Sequence, residues 1–99
     1  MYLVLMDNVL RRIDQARHWM DDEGSLEKHY LLSAAVQIVG ELRSTLDVRA
    51  GGPYTANLDD LCDYMSRQLV AANLQNQVAT LDEVADLLRQ VRTAWGMMQ

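Results

Sequence analysis

At 99 residues, with 49% hydrophobic residues, one proline and five glycines, the chain can build one modest core and is too apolar for intrinsic disorder. Its formal net charge of −5 argues against recognition of phosphate backbones or anionic membrane surfaces. A single cysteine excludes an internal disulfide and fits a reducing compartment, while the absence of Phe and the dominance of Leu, Val, Ala and Met favour packed helices over a β-sandwich.

The opening MYLVLM is apolar but lacks a basic leader, and Asp7 arrives far short of the roughly 20 apolar residues of a membrane span. Neither a secretory signal nor membrane insertion is expected. An apolar start with no capping residue is expected to lie partway into a helix, with a segment upstream of it absent. Helix one should run over residues 1–22, with Leu3, Met6, Leu10, Ile13 and Met20 as its seam and Val9 and Ala16 widening it. Arg17 interrupts the stripe, its stem covering apolar surface while the guanidinium reaches water. Asp21, Asp22 and Glu23 suit a helix C-terminus poorly, so Gly24 is the better stop signal.

Ser25 is the expected N-cap of helix two, with Glu27 in its first turn. Leu32, Ala35, Val39, Leu42 and Leu46 form its seam, flanked by Leu31 and Ile38. Gly40 lies mid-helix at a cost of about 1 kcal/mol relative to Ala, which implies either a close neighbour or a tolerated loss. The stretch DVRAGGPY, residues 47–54, is the clearest break: Gly51 and Gly52 free the backbone, and Pro53 suits the first position of a helix. Helix three then runs to residue 75 with Leu58, Cys62, Met65, Leu69 and Ala72 at alternating steps of four and three. Tyr64 and Asn73 sit beside that seam. Residues 76–79 make a turn, and TLDE predicts a capping box in which Thr80 caps helix four and Glu83 reaches back. Leu81, Val84, Leu88, Val91 and Trp95 continue the rhythm to the end. Four similar helices joined by short turns predict an all-α fold, an antiparallel up-down four-helix bundle forming a single domain over residues 1–99.

The residues that carry chemistry do not assemble into a reaction. A di-metal bundle needs a glutamate with a histidine three residues later on inward faces, and neither His18 nor His29 has one. The two histidines are expected near one end of the bundle, where a small metal site is the weak rival reading. Cys62 lies on an apolar seam and reads as a small hydrophobe. No glycine-rich phosphate loop or Ser-His-Asp order is present, so no enzyme activity, no cofactor and no metal are expected. Asp59 and Asp60 suit the N-terminal dipole of helix three, and Arg89 and Arg92 the later turns of helix four. Met6, Met20 and Met65 read first as core, although methionine also suits grooves that accept a partner helix. Tyr64 and Trp95 are equally open to either role. On these grounds the chain is an acidic helical bundle that binds something helical.

The wording of the helices goes further. LMDNVL in helix one, STLD closing helix two, GG before helix three, and NLDDLCDYMSRQLVAANLQNQVATLDEVADLLRQVRTAW resemble the flagellar secretion chaperone family, FliS. Asp7, Leu46, Asp47, Tyr64, Met65, Arg67, Leu69, Ala72, Asn73, Glu83, Val84, Leu87, Leu88, Ala94 and Trp95 match the family's phrases as they stand. Met6 stands where an aromatic is usual, Asn8 replaces a glycine, Cys62 a tyrosine and Gln68 an arginine. The family's N-terminal arm is not seen.

The resemblance implies a cytoplasmic, non-enzymatic export chaperone that binds the disordered C-terminal segment of flagellin. Binding would block premature polymerisation and keep the client competent for flagellar type III secretion. It makes Tyr64, Met65, Arg67, Asn73 and Trp95 the candidate partner-binding residues, expected near a groove edged by helices three and four. The export apparatus is a further candidate partner. With the arm absent, an open apolar surface would also allow two chains to pair as a homodimer. The alternative is a self-associating regulatory or adaptor bundle with no secretion client.

Overall fold

The structure, a computed structural model, describes residues 2–21 and 25–97, without the side chains of 48–50. Four helices follow one another: α1 (Tyr2–Arg17), α2 (Leu26–Ser44), α3 (Val48–Gln75) and α4 (Val78–Met97). Each packs against two others in a ring, α1 on α2 and α4, α3 on α2 and α4, while among the described residues the backbones of the diagonal pairs do not approach closely. Side-chain ties at the rim show that neighbours run antiparallel. The Tyr2 hydroxyl donates to the Thr45 carbonyl at 3.1 Å, joining the start of α1 to the end of α2. Arg43 near the end of α2 meets Asp59 early in α3 at 2.8 Å, and Arg92 near the end of α4 meets Asp7 early in α1 at 2.5 Å. The bundle is all-α among the described residues, 43 Å long against 21 and 20 Å across.

The seams carry the core. All five seam residues of α3, Leu58, Cys62, Met65, Leu69 and Ala72, are buried, as are Leu32, Ala35, Val39 and Leu42 of α2 and Leu81, Val84, Leu88 and Val91 of α4. Leu46 and Trp95 are half-buried at the ends of their stripes. In α1 the deeper seam is Met6, Val9, Ile13, Ala16 and, just beyond the helix, Met20, while Leu3 and Leu10 are only half-buried. Val9 and Ala16 are therefore central, because α1 packs between α2 and α4 and the three-four alternation starting at Met6 points between them.

Three element boundaries differ from the sequence reading, one of them the start of α3, whose helical residues begin at Val48 inside the stretch 47–54 read as a break. Helix α1 ends at Arg17, not residue 22. The amides of His18, Trp19 and Met20 bond three residues back, to the carbonyls of Gln15, Ala16 and Arg17, so the last turn tightens and then stops. Arg17 gives that terminus the cation its dipole favours, and the Gly24 stop lies outside the described residues. Helix α4 starts at Val78, so Thr80 is not its cap and no capping box with Glu83 forms. The Thr80 hydroxyl bonds the Gln77 side chain at 3.2 Å, and Glu83 instead accepts from Tyr64. The physical reason is the end of α3. Asn76 adopts a left-handed backbone (φ 54°) and the Gln77 amide bonds back to the Ala72 carbonyl at 3.2 Å, a Schellman closure. The chain reverses within two residues and leaves nothing for a longer turn.

The other expected signals sit where they were read. Ser25 caps α2, its hydroxyl accepting from the Lys28 amide at 3.1 Å. Gly52 breaks the 47–54 stretch with φ 72° and ψ −159°, so α3 is a short helical piece followed by its main body from Pro53. Only glycine takes that conformation without strain. Nothing lies within 4 Å of where a Cβ at Gly40 would stand, so this mid-helix glycine is simply tolerated. Gly40→Ala is expected to raise stability by about 0.5–1 kcal/mol, read as a Tm rise of a few degrees in a circular-dichroism melt.

Candidate partner-binding surface

The five residues singled out from the sequence do not share one place. Met65 is fully buried in the core. Tyr64 is half-buried at the α3–α4 edge, where its hydroxyl donates to the Glu83 carboxylate and accepts from the Gln68 amide at 3.0 Å. Arg67 is exposed and pairs with Asp63 one turn earlier at 3.0 Å, and Asp63 also meets Arg43 of α2 at 3.3 Å. Trp95 stands at the opposite end of the bundle from Asn73. It packs edge-on against Tyr2 with ring centroids 4.7 Å apart, and tilted against Tyr54 at 5.6 Å. Its indole nitrogen is buried with no hydrogen-bond partner.

Asn73 does line a groove, but one between α2 and α3. Its α3 wall is mainly apolar, with Leu69, Val70 and Leu74, and it faces Val36 of α2, whereas His29, Ser33 and Gln37 of α2 and Asn73 of α3 add polar groups. Val70 is 45% and Leu74 76% exposed. Their spacing of four puts them on one flank of α3, one position beyond the seam residue Leu69 on the solvent side. The Asn73 amide meets His29 Nδ1 at 2.9 Å. The α3–α4 edge, by contrast, is closed by the polar chain of Gln68, Tyr64 and Glu83. Sequence reasoning passed over Val70 and Leu74. The signal was there in LVAANL, where a second apolar flank runs beside the seam.

A buried cation anchors the end of this groove. Lys28 is only 3% exposed, and its ammonium donates to the Asn73 carbonyl at 3.2 Å and to Asn76 Oδ1 at 3.0 Å. It thereby caps the C-terminal end of α3 with positive charge. Asn76 turns its amide nitrogen to the Met20 carbonyl. One small network thus joins the α1–α2 corner to the α3–α4 turn and fixes the backbone of Asn73.

Other titratable groups show rim ion pairs. The Arg92 guanidinium bonded to Asp7, and that of Arg43 bonded to Asp59, hold these carboxyls below their ordinary value. Burial pushes the Cys62 thiol up to about 11. At pH about 8 its thiolate fraction is therefore small, and a disulfide reagent such as DTNB is expected to label native protein only as it unfolds. A labelling rate equal to that of a free thiol would show the thiol to be accessible. The two histidines do not meet: His18 lies in an α1–α2 depression and His29 in the α2–α3 groove. Among the described residues no group of three or more His, Cys, Asp or Glu is placed to hold a metal ion, and no helix is long and apolar enough to cross a membrane.

The comparisons with known proteins agree with one another. The model of the family described as flagellar protein FliS matches residues 1–99. The chain is 44% identical over 92 residues to the flagellar secretion chaperone FliSB of Pseudomonas aeruginosa, covering 93% of this chain and 73% of that protein. It is 38% identical over 93 residues to the flagellar secretion chaperone FliS of Escherichia coli, covering 93% and 68%, and 34% identical over 95 residues to that of Vibrio cholerae, covering 96% and 70%. These relatives are named as chaperones, a role without catalysis. A four-helix ring with an open apolar groove, matched along its whole length in this way, belongs to the FliS family of flagellar secretion chaperones.

Proposed function

We propose that this chain is an export chaperone of the bacterial cytosol whose client is the disordered C-terminal segment of flagellin. The observation that carries the reading is the open apolar groove between α2 and α3, in a chain of this family, with Val70 and Leu74 presented to a partner. An amphipathic client segment would fold as it binds, laying its apolar face on Val36, Leu69, Val70 and Leu74. Asn73 and His29 would meet its polar edge. Covering that face of the client blocks premature polymerisation and holds it ready for type III secretion. Tyr64, Arg67 and Trp95 lie outside the groove and would take part only if the client continues around the bundle.

Calorimetric titration of the chain with the C-terminal segment of flagellin from the same organism tests this. One-to-one binding at micromolar or better, with a negative heat-capacity change, supports it. No heat, with the chain running as a tight dimer on gel filtration, would instead identify a self-associating bundle whose shared face is this groove.

A further inference from the structure

Seven large apolar side chains stand exposed among the described residues, and three of them belong to the corner between α1 and α2: Trp19 (42%), Leu26 (80%) and Tyr30 (68%). A shallow depression at that corner is lined by Gln15, His18, Trp19, Glu27, Tyr30 and Leu31. It lies across α2 from the groove already described, because Glu27, Tyr30 and Leu31 face one side of the helix and His29, Ser33 and Val36 the other.

Among the described residues no lysine or arginine lines this depression, whose titratable groups are Glu27, His18 and the Tyr30 phenol. Glu27 forms part of the wall, its carboxylate accepting from the Ser25 hydroxyl at 3.1 Å, and Asp21, earlier in the chain, is also exposed. Two of the neighbouring cations are turned elsewhere. Arg17 reaches across to Asp82 of α4 at 2.8 Å, and Lys28 is buried toward Asn73 and Asn76. Among the described residues no ion pair reaches Glu27 or Asp21.

Two exposed aromatic rings beside a carboxylate that has no ion pair among the described residues make a receptor for a cation, since the ring face attracts positive charge and the carboxylate supplies the counter-ion. We infer that the α1–α2 corner is a second docking site, for a helix of a partner protein carrying an arginine or lysine beside apolar residues. The basic side chain lies against Trp19 and Tyr30 and pairs with Glu27, and the apolar neighbours cover Leu26. Because the site is on the far side of α2, it can be filled while the α2–α3 groove is occupied.

The test is a titration of the isotopically labelled chain with N-acetyl-arginine amide, followed by two-dimensional amide NMR, beside its neutral isostere N-acetyl-citrulline amide. The arginine compound is expected to give saturable shifts at the Trp19 indole N–H and at the amides of Glu27, Tyr30 and Leu31. The buried Trp95 indole should stay fixed as an internal reference. Glu27→Gln and Tyr30→Ala, both at exposed positions, are each expected to weaken binding about threefold to tenfold, in line with a single cation–π or ion-pair contact. Equal shifts with citrulline, shifts spread over the acids of α3 and α4 without a focus at this corner, or unchanged affinity in both variants would overturn the inference.

Discussion

Replacing Val70 and Leu74 together by glutamate is expected to weaken binding of a flagellin C-terminal peptide at least about a hundredfold while leaving helical content unchanged. Each of these side chains, fully buried by a client, would contribute roughly 1.5–3 kcal/mol, and each glutamate would put a charge into an apolar contact. Two such losses together exceed the ~2.7 kcal/mol that a hundredfold change in Kd represents. The bundle itself should not notice, because Val70 and Leu74 are exposed and outside the core cluster. Tyr64→Ala with Arg67→Ala is the informative comparison. These residues sit on polar edges of α3, so their loss should matter less for affinity unless the client extends that far. If the glutamate variant binds as tightly as the parent, the α2–α3 groove is not the client site.

Lys28→Met is expected to lower stability by about 2–3 kcal/mol, the cost of leaving buried acceptors without a charged donor, or roughly 10–20 °C in Tm for a domain of this size. Methionine keeps the length of the stem but leaves the Asn73 carbonyl and Asn76 Oδ1 without their ammonium. The same network can be dissected at Asn76. Asn76→Gly keeps the left-handed backbone and loses the side-chain bonds, whereas Asn76→Ala loses the bonds and adds about 1–2 kcal/mol of backbone strain. Guanidinium denaturation should therefore rank Asn76→Gly above Asn76→Ala. Equal midpoints for the two would show that the backbone conformation contributes nothing.

The periodic part of this architecture was readable because a helix repeats its burial every three or four residues. Leu58 to Ala72, Leu32 to Leu42 and Leu81 to Val91 could be assigned to the core without knowing what they touch. Ser25 and Gly52 were readable because their signals are local: a hydroxyl three residues from its amide, and a glycine freed from a side chain's sterics. The misread boundaries have the opposite character. Thr80 and Glu83 satisfy the capping-box pattern, yet Asn76 ends α3 so abruptly that α4 is already under way at Thr80. Lys28 drew no reading from the sequence, because its acceptors lie 45 and 48 residues away and one of them is a main-chain carbonyl that no residue type announces. The proposed groove was equally hard to read. Tyr64, Arg67 and Asn73 stood out by type and by family phrase, whereas Val70 and Leu74 stand out only through exposure, which depends on how far apart α2 and α3 settle.

The Lys28–Asn76 network makes the two ends of the bundle unequal in how they open. At that end both chain reversals are bonded to each other, through Met20, Asn73 and Asn76. At the other end, Gly52 interrupts α3, and the ties include edge-on and tilted ring contacts, the Tyr2–Thr45 hydrogen bond and solvent-exposed ion pairs. Hydrogen exchange should follow this asymmetry: amides near residues 45–56 exchange through small local fraying, and those near 26–33 and 69–76 only through a larger cooperative opening. His29, Asn73 and Leu74 belong to the slow end. A partner that enters the groove there meets a wall already rigid before it arrives, so the loss of conformational freedom on binding falls on the partner and not on the bundle.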